Sequence, residues 1–138
     1  MAADMNGDGL AKSFGDSPET HVRTVTGNVT SESDWKRIVD VAKDKFGGVD
    51  ILINNAGTSY KNKPTLDVTE DEFDKVMAVN VKSIYWSIPA IVPAMKERGG
   101  GSIINIASIG AMRPRPGLVW YNASKGAVAN VWSGRGHF

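Results

Sequence analysis

The chain has 138 residues, 41% hydrophobic and 22% charged, the make-up of one globular domain and too short for two good ones. Its 16 basic and 15 acidic residues leave a formal charge of +1, which gives no electrostatic footing for nucleic acid or an anionic membrane. With no cysteine, and with its two histidines (His21 and His137) far apart, disulfides and thiolate chemistry are excluded and a metal site has no support.

No apolar run approaches the length of a membrane span, and the N-terminus lacks a basic-then-apolar leader, so a cytoplasmic protein is expected. Met1-Ala2-Ala3 is short and apolar and ends at Asp4. Gly7-Asp8-Gly9 reads as a turn, Leu10 to Phe14 as a fragment of helix, and Asp16-Ser17-Pro18 as loop. Gly7 and Gly9 begin a G-x-G pattern, but Lys12 stands where a third glycine would fall, so the dinucleotide fingerprint is not here. Val22 to Thr26 is rich in β-branched residues and predicts a strand. Asn28-Val29-Thr30 leaves it as a loop. Ser31 with Asp34 makes a capping pair, and Trp35, Ile38, Val39, Ala42 and Phe46 recur at helical spacing until Gly47-Gly48.

Val49 to Ile53 is a nearly continuous apolar run, which predicts a strand covered on both faces, as in a parallel sheet. Asn54-Asn55-Ala56-Gly57 follows at its end. Thr69 and Glu72 form a capping box, and an apolar stripe from Phe73 to Val92 predicts a helix to about Arg98. Asn80 interrupts the stripe, and Pro89 and Pro93 are expected to kink it or remove a hydrogen bond. Ser102 to Ala107 predicts a third buried strand with Ser108 at its end. Ile109 to Leu118 is a loop, a last helix runs from Tyr121 to about Trp132, and 133–138 is expected to fray. Strand and helix alternate, which predicts an α/β fold with a parallel sheet and helices on both faces. Ligands in such sheets sit at the carboxyl ends of strands, where Asn28, Asn54 to Gly57 and Ser108 all fall.

Tyr121 and Lys125 are four positions apart, hence on one face of their helix. An ammonium beside a phenol stabilises the phenolate, which equips the pair to pass a proton near neutral pH. Each residue also has a plain reading when taken alone. Tyr-x-x-x-Lys occurs on many exposed helices, Ser108 can cap a turn, Asn80 can mark a helix break, and Asn-Asn-Ala-Gly can be only a turn.

Taken as an ordered set, Asn54-Asn55-Ala56-Gly57, Asn80, Ser108, Tyr121 and Lys125 resemble the short-chain dehydrogenase/reductase family, with Ser108 thirteen positions before Tyr121. Asn28-Val29-Thr30 is similar to that family's Asp-Val-Thr adenine loop, with asparagine for aspartate. The resemblance implies a Rossmann-like doubly wound sheet, a nicotinamide cofactor (NAD, with NADP less favoured), a small alcohol or carbonyl substrate, and homo-oligomers. It makes Tyr121 the general acid/base and also a cofactor-binding residue, and Lys125 its partner and a ligand of the nicotinamide ribose. Ser108 polarises the substrate oxygen, and Asn80 holds a water of a proton relay. Asn55, Ala56 and Gly57 form the cofactor bed, and Asn28 and Val29 line the adenine pocket, Asn28 accepting through its amide oxygen. Met112, Arg113, Pro114 and Trp120 flank the substrate pocket.

The family's opening glycine-rich turn is not present. Asp4 reads as the acid that ends the second strand and binds the ribose hydroxyls, which favours NAD by repelling a 2′-phosphate, or as a residue of a loose terminus. On the first reading, residues 1–20 are a remnant of the second strand and helix, and the chain is a partial cofactor-binding domain lacking the first strand and the last ones. In the order 3-2-1-4-5-6 the strand at Val22–Thr26 would then have no good ladder partner. Two functions follow: a hydride-transferring oxidoreductase, or a truncated, inactive fragment that at most associates with full-length partners.

Overall fold

The computed structural model describes residues 1–131, so Trp132 and the tail 133–138 lie outside the described residues. The fold is α/β and divides into two compact units. The first comprises Met1–Leu52 and Trp86–Ser102, and the second Ile53–Tyr85 with the chain from Ile103 onward.

In the first unit β1 (Ala2–Asp4) and β2 (Thr24–Thr26) form a parallel ribbon that pairs Ala3 with Val25 and Asp4 with Thr26. The strand expected to lack a partner therefore has one: three N-terminal residues suffice, with Gly27 N–H donating to the Asp4 carbonyl at 2.9 Å. Between them α1 spans Gly7–Phe14, so Gly7-Asp8-Gly9 is the first helical turn rather than a separate one. The Asn6 side chain accepts from Gly9 N–H and caps it, and burial of Leu10 offsets the poor helix propensity of two glycines. Helix α2 (Glu32–Phe46) starts at the Ser31 cap and ends at Gly47, whose φ of 77° suits glycine. It buries Trp35, Ile38, Val39 and Ala42 of the face read from spacing, while Phe46 in its last turn is exposed.

Helix α3 (Glu70–Met77) opens with the Thr69–Glu72 capping box, in which both reciprocal bonds are made. The chain then passes through five π-helical residues, Ala78–Lys82, before α4 (Ser83–Glu97). The irregularity thus falls at Asn80, while α4 continues through Pro89 and Pro93. Glu72 also takes two bonds from Lys63 Nζ, at 2.7 and 2.9 Å. These, with the Thr69 N–H, hold its carboxyl below the ordinary glutamate range. A carboxyl lowered in the folded chain stabilises it above its unfolded value and loses that contribution as pH falls through the folded one. Protection of the Thr69 amide against hydrogen exchange, corrected for intrinsic rate, is therefore expected to hold at neutral pH and to fall below about pH 4.3. Glu72→Gln should flatten that profile.

Strands β3 (Ile51–Asn54) and β4 (Ser102–Asn105) form the second ribbon, a separate two-stranded sheet. Ser102 N–H donates to the Asp50 carbonyl and Ile106 N–H to that of Asn54, both at 2.9 Å. The bonds advance equally along both strands, so these run parallel, and the register sets Ile53 beside Ile104. One face of this ribbon is open. Ile51, Ile53, Ile104 and Ile106 are exposed, against the expectation that both strands are covered on both sides.

Candidate active site

Helix α5 (Val119–Asn130) carries Tyr121 and Lys125. No side chain caps its Leu118 N-cap. Instead the Tyr60 hydroxyl accepts from Trp120 N–H at 3.1 Å, meeting one of the free donors of the first turn. The Trp120 ring meets Phe73 edge-on, with centroids 5.0 Å apart. In the sequence Phe73 is legible only as the start of an apolar stripe and Tyr60 not at all, because their partners are remote in the chain.

Lys125 is buried at 5% exposure. Its ammonium donates to the Ile106 carbonyl, just past the end of β4, at 2.8 Å. An ammonium has three donors, and its nitrogen lies beside Gly57. A Cβ built on Gly57 would sit 3.3 Å from Lys125 Nζ and 3.5 Å from Asn80 Oδ1, so glycine keeps that space open. Asn55, Ala56 and Gly57 present exposed chain there, and Asn54 Nδ2 donates to Asn105 Oδ1 at 2.9 Å, tying the ends of the two strands.

Asn80 is buried at 2% exposure. Its amide oxygen accepts from Thr58 N–H at 2.8 Å. Its amide nitrogen donates to the Thr58 carbonyl at 3.0 Å and to Ser124 Oγ at 2.9 Å. Both side-chain hydrogens are thus committed to the protein.

Ser108 N-caps a short 3-10 turn, Ile109–Ala111, its hydroxyl accepting from Gly110 N–H at 3.1 Å. Capping and catalysis are compatible here, since a hydroxyl that accepts one bond still has its own hydrogen to donate. Gly110 brings Ser108 and Tyr121 to one place. A Cβ on it would lie 3.5 Å from Ser108 Oγ and 3.6 Å from Tyr121 Cε1, and would collide with Asn122 Oδ1 at 2.9 Å. Asn122 Nδ2 donates to the Arg115 carbonyl at 2.9 Å and ties the preceding loop to the helix. Beside these residues lies an open groove of about 530 Å³ lined by Pro114, Arg115, Val119 and Asn122 among others. Of the four residues expected to flank a pocket, Pro114 lines this groove.

The second unit therefore gathers Asn55, Ala56, Gly57, Asn80, Ser108, Tyr121 and Lys125. Asp4, Asn28 and Val29 belong to the first. Asp4 is the last residue of β1, and its carboxylate accepts from Asn6 N–H at 2.8 Å. Asn28 Oδ1 accepts from both Thr30 N–H and Thr30 Oγ1, at 3.0 and 2.9 Å. Because a backbone N–H can only donate, this fixes the orientation of the amide, and accepting from an adenine amino group would cost one of those bonds. Asp34 steadies the loop. Its carboxyl, which takes the Asn28 N–H and pairs with Arg37, is held below the usual aspartate range by those two contacts. Among the described residues no acidic or histidine cluster could hold a metal ion, and no helix is long and apolar enough to cross a membrane.

Residues 2–134 match the model of the short chain dehydrogenase family. Among individual proteins, 4-formylbenzenesulfonate dehydrogenase of Comamonas testosteroni is 48% identical over 107 residues, covering 78% of this chain and 42% of its own length. A crystal structure of 3-ketoacyl-(acyl-carrier-protein) reductase from Brucella melitensis with NADH superposes with a TM-score of 0.88 at 38% identity, over 94% of this chain and 55% of that one. NAD+-bound xylitol dehydrogenase gives a TM-score of 0.86 at 32% identity, over 94% and 51%. The chain thus spans about half the length of these relatives.

Proposed function

The chain belongs to the short chain dehydrogenase family, and on that premise we propose that its site serves hydride transfer between a nicotinamide dinucleotide and a small secondary alcohol or carbonyl compound. The observation that carries this reading is the buried Lys125 ammonium beside the open Gly57 bed, on the same helix as Tyr121 and with Ser108 brought near Tyr121 across Gly110. The residues fit the cofactor in kind. A cation with donors to spare suits ribose hydroxyls, and an exposed chain segment that ends at Gly57, without a Cβ, suits a flat ring. When bound, nicotinamide supplies or receives the hydride.

The protein's own work is then proton handling and placement. Tyr121 gives its hydroxyl proton to the carbonyl oxygen in reduction and removes the alcohol proton in oxidation. Ser108, its oxygen held by Gly110 N–H, points its hydrogen at the same substrate oxygen. Lys125 stabilises the phenolate left on Tyr121 and binds the ribose. Asn80, with both side-chain hydrogens taken, places Thr58 and keeps a second lone pair on its amide oxygen to hold a relay water. Val29 and Asn28 line the adenine end. Asp4 favours NAD over NADP by charge repulsion, so Asp4→Ser should narrow the ratio of kcat/KM for NAD over NADP, and an unchanged ratio would remove Asp4 from the cofactor site. The relatives bearing NADH and NAD+ support a nicotinamide dinucleotide as such, and the preference for NAD rests on Asp4.

The test is a change in nicotinamide absorbance with a panel of ketones and alcohols, repeated with Tyr121→Phe. A second reading, an inactive partial domain that associates with longer partners, is favoured by the open isoleucine face. Absence of turnover together with absence of any NAD-dependent stabilisation would decide for it.

A further inference from the structure

Ser124 lies within helix α5 and is fully buried, at 0% exposure. Its hydroxyl hydrogen goes to the Tyr121 carbonyl, 2.7 Å away. A hydroxyl has one hydrogen and two lone pairs, so this donation turns a lone pair toward Asn80, whose Nδ2 donates to it at 2.9 Å. The result is a directed chain from the Asn80 amide through the Ser124 hydroxyl to the main chain of Tyr121, and buried chains of this kind strengthen one another. At its other end the Asn80 carboxamide grips both N–H and C=O of Thr58, the residue after Gly57.

From this we propose that Ser124 is a positioning residue: it fixes the Tyr121/Lys125 helix against the Gly57–Thr58 bed by locking Asn80 between them. The hydroxyl touches neither the Lys125 ammonium nor the open space by any bond described. Its effect runs through Asn80. The consequence for cofactor binding rests on the function proposed above, whereas the mechanical consequence does not.

The chain, Ser124→Ala, Ser124→Thr, Asn80→Ala and the double Ser124→Ala/Asn80→Ala variant should be compared by site-resolved amide exchange and by NADH fluorescence titration. Ser124→Ala is expected to raise exchange at the Thr58 amide about tenfold, the factor a single buried hydrogen bond carries, with amides of α2 unchanged. NADH affinity should fall by a similar factor. Ser124→Thr, which keeps the hydroxyl, should restore most of both, and Ser124→Ala should add little in the Asn80→Ala background, as expected of two residues in one chain of bonds. Unchanged Thr58 exchange would overturn the proposal, as would equal loosening of Thr58 and α2. Loosening of Thr58 with NADH affinity intact would reduce Ser124 to a structural tie and overturn its positioning role. If the unmodified chain binds no NADH, the cofactor reading fails, and Thr58 exchange still decides whether Ser124 holds the bed.

Discussion

Tyr121→Phe is expected to lower nicotinamide-linked turnover by about 10²–10⁴-fold, the range that a positioned general acid/base supplies, and to lower cofactor affinity far less. The substitution deletes one oxygen from a half-buried side chain whose ring edge lies near Gly110. The helix bonds around it belong to its main chain, and the Ser124 hydroxyl bonds to the carbonyl rather than the phenol. Lys125 keeps its bond to Ile106. The loss should therefore appear in kcat and in kcat/KM alike, as for a group that acts only in the transition state. Ser108→Ala should cost less, since it removes a hydrogen bond to the substrate oxygen but not the proton source. Equal turnover by Tyr121→Phe and the unmodified chain would end the acid/base assignment, whatever the fold.

What the sequence made legible was local chemistry. The Ser31 and Thr69 caps, the Gly47 stop and the face of α2 are each settled within a few residues, and the structure shows them where spacing put them. The i, i+4 relation of Tyr121 and Lys125 is likewise a property of any helix. What stayed hidden depends on partners remote in the chain. Asn80 meets Thr58 across 22 positions and Ser124 across 44, and Tyr60 meets Trp120 across 60. No periodicity reports such bonds. A break at Asn80 is one reading of the sequence, but its form is not legible there: a proline's missing N–H is visible in sequence, whereas a one-residue widening of the helix is not. Gly7 and Gly9 misled for a related reason: their low helix propensity is a weak prior, and the Asn6 cap with the burial of Leu10 overrides it.

The apolar runs at Val49–Ile53 and Ser102–Ala107 are the most consequential case. Such runs belong to strands covered on both faces, yet Ile51 is 63%, Ile53 57%, Ile104 46% and Ile106 41% exposed. Strand pairing explains the disagreement. In the order 3-2-1-4-5-6, withdrawing the first strand leaves the third paired with the second and the fourth with the fifth. The observed ribbons, β1 with β2 and β3 with β4, are those pairs. Two-stranded ribbons are marginal by themselves, and parallel ones ordinarily lie buried. The chain alone is thus expected to associate or to melt without a single sharp transition, to bind an apolar reporter dye, and to hold NAD far more weakly than its longer relatives. Sedimentation velocity over a range of concentrations measures the first of these. Replacing Ile53, Ile104 and Ile106 together with threonine keeps β-branched side chains on the strands while making the open face polar. That variant should sediment as a single small species and lose most of its dye binding. A monomer with a sharp two-state melt and micromolar NAD affinity in the unmodified chain would refute the expectation, and would mean that four exposed isoleucines on a two-stranded ribbon are stable in water without cover.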